Sequence, residues 1–140
     1  VSNFALPECR SRHNEVYWSG RPYLAFGPGA SRFVDGCRET NHRSVTTYLQ
    51  RIREGKSPVA ERECLPPEDA ARERLVFSLR RLEGINISQF EQAVGLELDA
   101  LVGAPLRECE ELELLQRDGG RLCLTQKGLL LSDSIWPLFL

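Results

Sequence analysis

Apolar residues recur at helical spacing through the second half of the chain, and this pattern predicts a series of short helices. A first helix begins at Pro66–Asp69, where prolines and acidic residues suit the free N–H groups, and it ends by Gly84. A second helix begins at Ser88, a good N-cap with Glu91 three residues on, and stops at Gly95. The inward face of the first helix is predicted to hold Ala71, Leu75, Leu79 and Leu82.

A third helix, a hairpin and a last helix complete this half of the chain. The third helix is predicted over Pro105–Leu115. The turn sequence Arg117–Arg121 joins Leu114–Gln116 to the alternating Leu122–Leu124, which predicts a β-hairpin. Thr125 caps the last helix. The order of three helices, a hairpin and a helix is typical of a winged-helix domain.

Glycine and proline interrupt the first half of the chain, which predicts short strands and loops there. Tyr23–Phe26 is predicted as a strand that ends in the tight turn Gly27–Ala30. A helix is predicted over Ser44–Glu54, and Ser57–Pro67 is predicted as a linker. We therefore place a domain boundary near Cys64.

Charge is distributed unevenly across this boundary. Residues 1–64 hold 10 Lys and Arg against 7 Asp and Glu, whereas residues 65–140 hold 8 against 13. In the predicted third helix Arg107 stands among four glutamates. Because phosphate binding depends on Lys and Arg, nucleic acid is not a predicted partner.

The cysteines and the apolar content together predict a cytoplasmic chain. Five cysteines lie far apart, without a CxxC pair and without the spacing of a zinc or iron–sulfur site, so we expect reduced thiols. No stretch approaches the roughly 20 apolar residues of a membrane span, and none is expected.

Two short blocks carry the candidate chemistry. His13–Trp18 (HNEVYW) combines an imidazole, which can bind iron, with a phenol and an indole, which either stack on a flat macrocycle or pack in a core. In Gly27–Ala30 (GPGA) small residues allow the backbone close to a ligand, although an ordinary turn explains them equally well.

These blocks resemble a known family. Ser2–Ala5, His13–Trp18 and Tyr23–Ala30 look like the late part of the radical-SAM region in oxygen-independent coproporphyrinogen III oxidases, with the closest similarity to their haem-chaperone branch. Gly119–Gly128 is similar to the winged-helix-like C-terminal domain of the same family. One departure is Ser31, because relatives commonly carry histidine directly after GPGA.

The resemblance implies S-adenosylmethionine and a [4Fe–4S] cluster in the parent protein, and it implies a tetrapyrrole substrate or haem as partner. The cluster-binding CxxxCxxC motif is absent here, and the chain has no methionine, so we interpret it as an inactive C-terminal fragment. Haem is a further candidate cofactor, and none is expected to be bound by the fragment alone. The residues matched to porphyrin or haem binding are His13, Asn14, Tyr17 and Trp18, with His13 as the candidate iron ligand. The residues matched to S-adenosylmethionine binding are Asn14, Glu15, Gly27, Gly29, Ala30 and Ser31.

We therefore expect an α+β fold with two parts. Residues 1–64 are expected to form strands at the C-terminal edge of a partial (β/α) barrel plus a linker, and residues 65–140 a winged-helix-like domain. The expected function of the parent is oxidative decarboxylation of coproporphyrinogen III to protoporphyrinogen IX. The alternatives are a haem chaperone and a free-standing winged-helix binding module. An exposed barrel edge would favour a dimer.

Overall fold

The computed structural model describes residues 4–6 and 8–140, so Ser2 and Asn3, which contribute to the resemblance, lie outside the described residues. These residues form two compact units. The helical unit comprises the chain up to Gly20 together with Pro66–Leu140, and the sheet unit comprises Arg21–Leu65. The mixture of helices and strands confirms the predicted α+β class.

The helical unit contains most of the secondary structure. Its elements are α1 (Arg12–Trp18), α3 (Pro67–Leu79), β4 (Ile85–Asn86), α4 (Ile87–Val94), α5 (Leu98–Glu111), β5 (Leu115–Asp118), β6 (Arg121–Leu124), α6 (Gln126–Leu130), α7 (Ser132–Ile135) and a 3-10 turn (Trp136–Leu138). The sheet unit contains β1 (Ser31–Val34), β2 (Cys37–Asn41), α2 (Val45–Arg53) and β3 (Val59–Cys64).

Helix α3 provides the centre of the core in the helical unit. Three of its four predicted inward residues are buried: Ala71, Leu75 and Leu79. The fourth, Leu82, lies beyond the end of the helix and is 66% exposed, so that prediction was wrong. Leu106 and Phe139 are also fully buried in this core. Burying each such side chain contributes roughly 1.5–3 kcal/mol.

The beginnings of α4 and α5 differ from the prediction. Asn86, not Ser88, caps α4, because its side chain accepts a hydrogen bond from the Gln89 N–H at 2.9 Å. Glu91 instead accepts from the Leu98 N–H at 2.9 Å, at the start of α5. Helix α4 ends at Gly95 as predicted, with the left-handed φ of +73° that glycine permits.

Helix α5 begins seven residues before the predicted start at Pro105, which lies inside the helix. Proline has no N–H and crowds the carbonyl one turn earlier, and the backbone accordingly leaves helical geometry at Val102 (φ −142°). Burial of Leu98 and Leu101 holds the segment before this kink against the core. The helix ends at Glu111, and Leu115 starts a strand instead.

The predicted hairpin is confirmed. β5 pairs antiparallel with β6, from Leu115 opposite Leu124 to Asp118 opposite Arg121, and β4 adds a third strand in the order β4-β6-β5. Thr125 caps α6 as predicted, since its hydroxyl accepts from the Gly128 N–H at 3.0 Å. The structure therefore has the predicted order of elements, with β4 as an added strand.

The sheet unit is built on one antiparallel sheet in the order β1-β2-β3. The predicted helix is confirmed as α2, capped by the Ser44 hydroxyl. The predicted linker is wrong, because Val59–Cys64 forms β3 beside β2.

A disulfide joins Cys37 to Cys64, so the expectation of five reduced thiols is not met at this pair. The parallel pairing that a (β/α) barrel requires does not occur between the strands described here.

Candidate functional site

The His13–Trp18 block lies on helix α1, in a part of the chain where the sequence predicts strands and loops. The Ser11 hydroxyl caps the helix by accepting from the Asn14 N–H at 3.4 Å. A seven-residue helix is too short to be stable alone in water, so it depends on its contacts with the rest of the helical unit. Helical spacing places Asn14 and Trp18 on one stripe of the helix, and His13 and Tyr17 on the neighbouring stripe.

Helix α1 is fixed against the C-terminal half of α3. The Ser78 hydroxyl donates to the Trp18 carbonyl at 3.3 Å. Beyond the helix, Gly20 has a φ of +63° and lies against the side chain of Arg74, where an added Cβ would come within 3.3 Å. The orientation of the block is therefore set by residues about 60 positions further along the chain.

Four charged residues form a network beside these contacts. Arg10 Nη1 lies 2.6 Å from Glu83 Oε1 and 3.8 Å from Glu15 Oε1. Arg81 lies 3.3 Å from Glu83 and 3.8 Å from Glu15. We call these residues the charged quartet. Two arginines and two glutamates balance, so the quartet adds no net charge to the site.

Burial alone would raise the pKa of the Glu83 carboxyl, but the hydrogen bond from Arg10 and the charges of Arg10 and Arg81 outweigh it and lower the pKa below its ordinary value. Within the described part of the chain, Arg81 Nε and Glu83 Oε2 are buried without a hydrogen-bond partner. The quartet is therefore held mainly by charge and only partly by hydrogen bonds.

A cleft of about 700 Å³ lies between α1, the end of α3 and the α6 to 3-10 segment of the helical unit. Its charged lining residues are Arg10, Glu15, Arg80, Arg81, Glu83 and Asp133. Its larger apolar lining residues are Phe4, Leu6, Trp18, Leu82, Leu124, Leu129 and Trp136. Its size falls in the range of about 300–1,000 Å³ that is usual for small-molecule sites.

The cleft contains some of the predicted site residues and leaves others outside. Asn14, Glu15 and Trp18 line it. His13 and Tyr17 do not, and instead form a pair with 3.1 Å between the Tyr17 hydroxyl and His13 Nε2, their rings meeting edge to face at 4.9 Å. The stripe of Asn14 and Trp18 therefore faces the cleft, whereas His13 and Tyr17 lie outside its lining.

The exposed imidazole of His13 fits an axial iron ligand. Its Nε2 is engaged by Tyr17, which leaves Nδ1 as the nitrogen available without breaking that contact. Binding through Nε2 would instead displace the tyrosine hydroxyl. Either nitrogen of a neutral imidazole is a suitable ligand for haem iron.

The Gly27–Ser31 segment belongs to the sheet unit, so the residues matched to S-adenosylmethionine are divided between the two units. Its polar groups are already engaged. The Tyr48 hydroxyl accepts from the Gly27 N–H at 3.2 Å, and the Asn41 side-chain amide donates to the Gly27 carbonyl at 3.0 Å. The Gly29 N–H donates to the His42 carbonyl at 3.0 Å.

The glycines in this segment are needed for backbone conformation. Gly27 and Gly29 have φ values of +106° and +69°, and an added Cβ at Gly27 would meet nothing within 4 Å in the described structure. The Ser31 hydroxyl pairs with that of Thr40 at 2.8 Å. The segment is therefore a braced turn, and its geometry does not by itself indicate a ligand.

The described residues contain no group of three or more His, Cys, Asp or Glu side chains that could hold a metal ion. None of the helices described is long and apolar enough to cross a membrane.

Sequence reasoning missed several cleft residues. Arg80, Arg81 and Glu83 follow the end of α3, and Trp136 lies near the chain end. The adjacent arginines after an apolar stripe were a visible signal, but only the folded chain brings them to α1.

Part of the chain matches a known domain family, and its fold matches that of a solved structure. Residues 65–131 match the HemN C-terminal domain family. The fold resembles that of Escherichia coli coproporphyrinogen III oxidase (HemN), described as a radical SAM enzyme, with a TM-score of 0.68 and 23% identity over 85% of this chain and 28% of that one. At this identity the match shows a shared fold.

Relatives match over the whole chain. The chain is 31% identical to the heme chaperone HemW of Bacillus subtilis and 32% identical to that of Lactococcus lactis, covering 37% and 36% of those proteins. It is 32% identical to the mitochondrial radical S-adenosyl methionine domain-containing protein 1 of Danio rerio, covering 34% of it. The chain therefore spans about a third of the length of these relatives. These matches confirm the resemblance: the chain is similar over its whole length to proteins named heme chaperone HemW, and its residues 65–131 match the HemN C-terminal domain family.

Proposed function

We propose that this chain forms the haem-binding part of a haem-chaperone-like protein, with His13 as the axial ligand of the iron. The observation that carries the proposal is the folding of the His13–Trp18 block into a helix. This helix carries the exposed imidazole of His13, and its Trp18 lines the cleft. The relatives named heme chaperones support the choice of ligand.

The roles of the block residues follow from their positions on α1. His13 binds the iron, and Tyr17 holds the imidazole ring through its hydroxyl. Trp18 offers an aromatic surface to the porphyrin, and Asn14 offers an amide at the cleft wall. Bound haem supplies an iron centre that accepts an axial nitrogen.

We also propose that the residues matched to S-adenosylmethionine bind that cofactor in a longer protein of this family. Asn14 and Glu15 belong to one unit, and Gly27, Gly29, Ala30 and Ser31 to the other. The [4Fe–4S] cluster would be held by a CxxxCxxC motif, and the five cysteines of this chain do not have that spacing. The structure supports this assignment less than haem binding, because the N–H groups of Gly27, Gly29 and Ala30 all bond within the sheet unit.

A second candidate is coproporphyrinogen III oxidation, favoured by the fold shared with the Escherichia coli enzyme over 85% of this chain. The test is an anaerobic assay of the intact protein with reconstituted cluster, reductant and S-adenosylmethionine. Formation of protoporphyrinogen IX would support oxidation, and its absence under these conditions would remove this candidate.

The domain types of the two units and the pairing of two copies of the chain are also proposals. The helical unit would be a winged-helix-like domain, and the sheet unit the edge of a barrel in the longer relatives. Pairing of two copies through a strand edge would use β3, although the charged side chains of Glu61, Arg62 and Glu63 disfavour edge pairing. Nucleic-acid binding is not proposed, because α5 and the segment after it carry the acidic residues Glu108, Glu110, Glu111 and Glu113.

The direct test is titration of the chain with ferric haem, followed by the Soret absorption band. We expect a shifted band at one haem per chain and its loss in His13→Ala. The chain has two histidines, so His42→Ala is the matched control and should keep the band. An unchanged spectrum in His13→Ala would refute the assignment of the ligand.

A further inference from the structure

Arg80 differs from the other arginines of the cleft. Arg10 and Arg81 are neutralised within the charged quartet. No carboxylate lies within ion-pair distance of Arg80 among the residues that the structure describes, and its side chain is exposed. The cleft therefore offers one cation that is free to bind an anion.

Two aromatic rings hold this cation in place. The Arg80 guanidinium carbon lies 5.4 Å from the centroid of the Phe77 ring and 6.0 Å from that of Trp136. Trp136 is buried at 8% exposure, so its ring is fixed by the core. A guanidinium held over aromatic faces keeps its N–H edges available for a planar anion such as a carboxylate.

The rest of the cleft suits an apolar body attached to that anion. Trp18, Leu124 and Leu129 line it, and Leu82 is 66% exposed there although it is a large apolar residue. Asp133 is the one charged lining residue outside the quartet that would oppose an anion. The cleft thus combines a single receptive cation with an apolar wall.

We propose that Arg80 binds a propionate carboxylate of the tetrapyrrole while the porphyrin ring lies against Trp18 and the leucines of the cleft. This inference rests on the proposed haem function and specifies its carboxylate receptor. The ion pair would be bidentate, since the guanidinium fork matches the geometry of a carboxylate. His13 lies outside the residues that line the cleft, so the carboxylate receptor and the iron ligand are separate groups.

Metal-free protoporphyrin IX tests the cleft without the iron ligand. Its affinity for the chain is measured by quenching of tryptophan fluorescence, beside that of its dimethyl ester, which lacks the carboxylates. We expect Arg80→Gln to weaken binding of the free acid about tenfold or more, the effect of losing a charge-assisted hydrogen bond. Arg80→Lys should lie between Arg80→Gln and the wild type, because it keeps the charge and loses the fork.

Two further variants sharpen the test. Asp133→Asn should strengthen binding of the free acid, because it removes the opposing charge. Arg107→Gln changes an exposed arginine of the same unit outside the cleft lining and should leave the affinity unchanged. Circular dichroism of each variant checks that it folds.

The inference and the proposed function can fail separately. Equal affinity of Arg80→Gln and the wild type, equal affinity for acid and ester, or no porphyrin binding at all would overturn the role of Arg80. A Soret band that depends on His13 would still support haem binding in those cases. Conversely, Arg80-dependent porphyrin binding without such a band would support the cleft and reject His13 as the ligand.

Discussion

Replacing Gly128 with alanine should destabilise the helical unit, because this glycine lies against the backbone that enters the hairpin. A Cβ at Gly128 would overlap the carbonyl of Leu114, and a backbone group cannot rotate away as a side chain can. Overpacking costs about 1–3 kcal/mol, and the upper end applies here. Alanine recovers about 1 kcal/mol of helix propensity, leaving a net loss of about 2 kcal/mol.

A loss of this size should lower the melting temperature by about 8 to 16 °C, at about 4–8 °C per kcal/mol for a unit of this length. Thermal unfolding followed by circular dichroism measures it. Gly103→Ala is the matched control, because Gly103 is also helical and the nearest atom to its added Cβ is the flexible end of Arg107. That variant should be neutral or slightly stabilising. Equal melting temperatures for the two variants would refute the backbone overlap as the cause.

Two further predictions concern the disulfide and the charged quartet. Cys64→Ser should destabilise the sheet unit by about 3 kcal/mol, since the bond to Cys37 closes a loop between residues 27 positions apart. Urea unfolding of the wild type and the variant, with and without dithiothreitol, measures this loss. Identical unfolding curves for the oxidised wild type and the variant would contradict the prediction. Because the folded pKa of Glu83 lies below its ordinary value of 4.5, its contribution is present above pH 4.5 and is lost as the pH falls through the folded value. Melting temperatures between pH 6 and pH 3 should therefore fall less in Glu83→Gln than in the wild type, and parallel profiles would count against the role of the ion pairs.

Local signals were sufficient for several elements of the fold. Ser44 and Thr125 cap helices through their own hydroxyls, and Gly95 ends α4 in a conformation that glycine favours, so each acts within a few residues. The start of α5 could not be predicted in this way. Proline usually opens a helix, whereas here burial of Leu98 by distant residues keeps the segment before Pro105 helical.

The strand β3 was missed for a related reason. Val59–Cys64 contains mostly exposed side chains, of which Glu61, Arg62 and Glu63 are charged, and it lacks the apolar alternation of a half-buried strand. Its pairing with β2 supplies the backbone hydrogen bonds that make it a strand, and the paired residues lie between 18 positions (Asn41 and Val59) and 27 positions (Cys37 and Cys64) apart.

Some residues of the candidate site can be predicted from the sequence, and others are brought to it only by contacts between distant parts of the chain. The sequence singles out the block His13–Trp18, yet its short helix depends on contacts with distant residues such as the hydrogen bond from Ser78 to the Trp18 carbonyl. Arg80 and Trp136 reach the cleft only after the C-terminal half folds against α1. Residues that act together across such separations leave no spacing pattern in one sequence.

The most direct test of the central claim is a nuclear magnetic resonance spectrum of the chain labelled with ¹⁵N-histidine, recorded during titration with ferric haem. The two histidines give separate imidazole signals, and the paramagnetic iron broadens and shifts the signals of any histidine that it binds. The account predicts that the His13 signals change at one haem per chain while those of His42 stay in place. Signals of His13 that remain unchanged as haem binds, or a response of His42 instead, would contradict it.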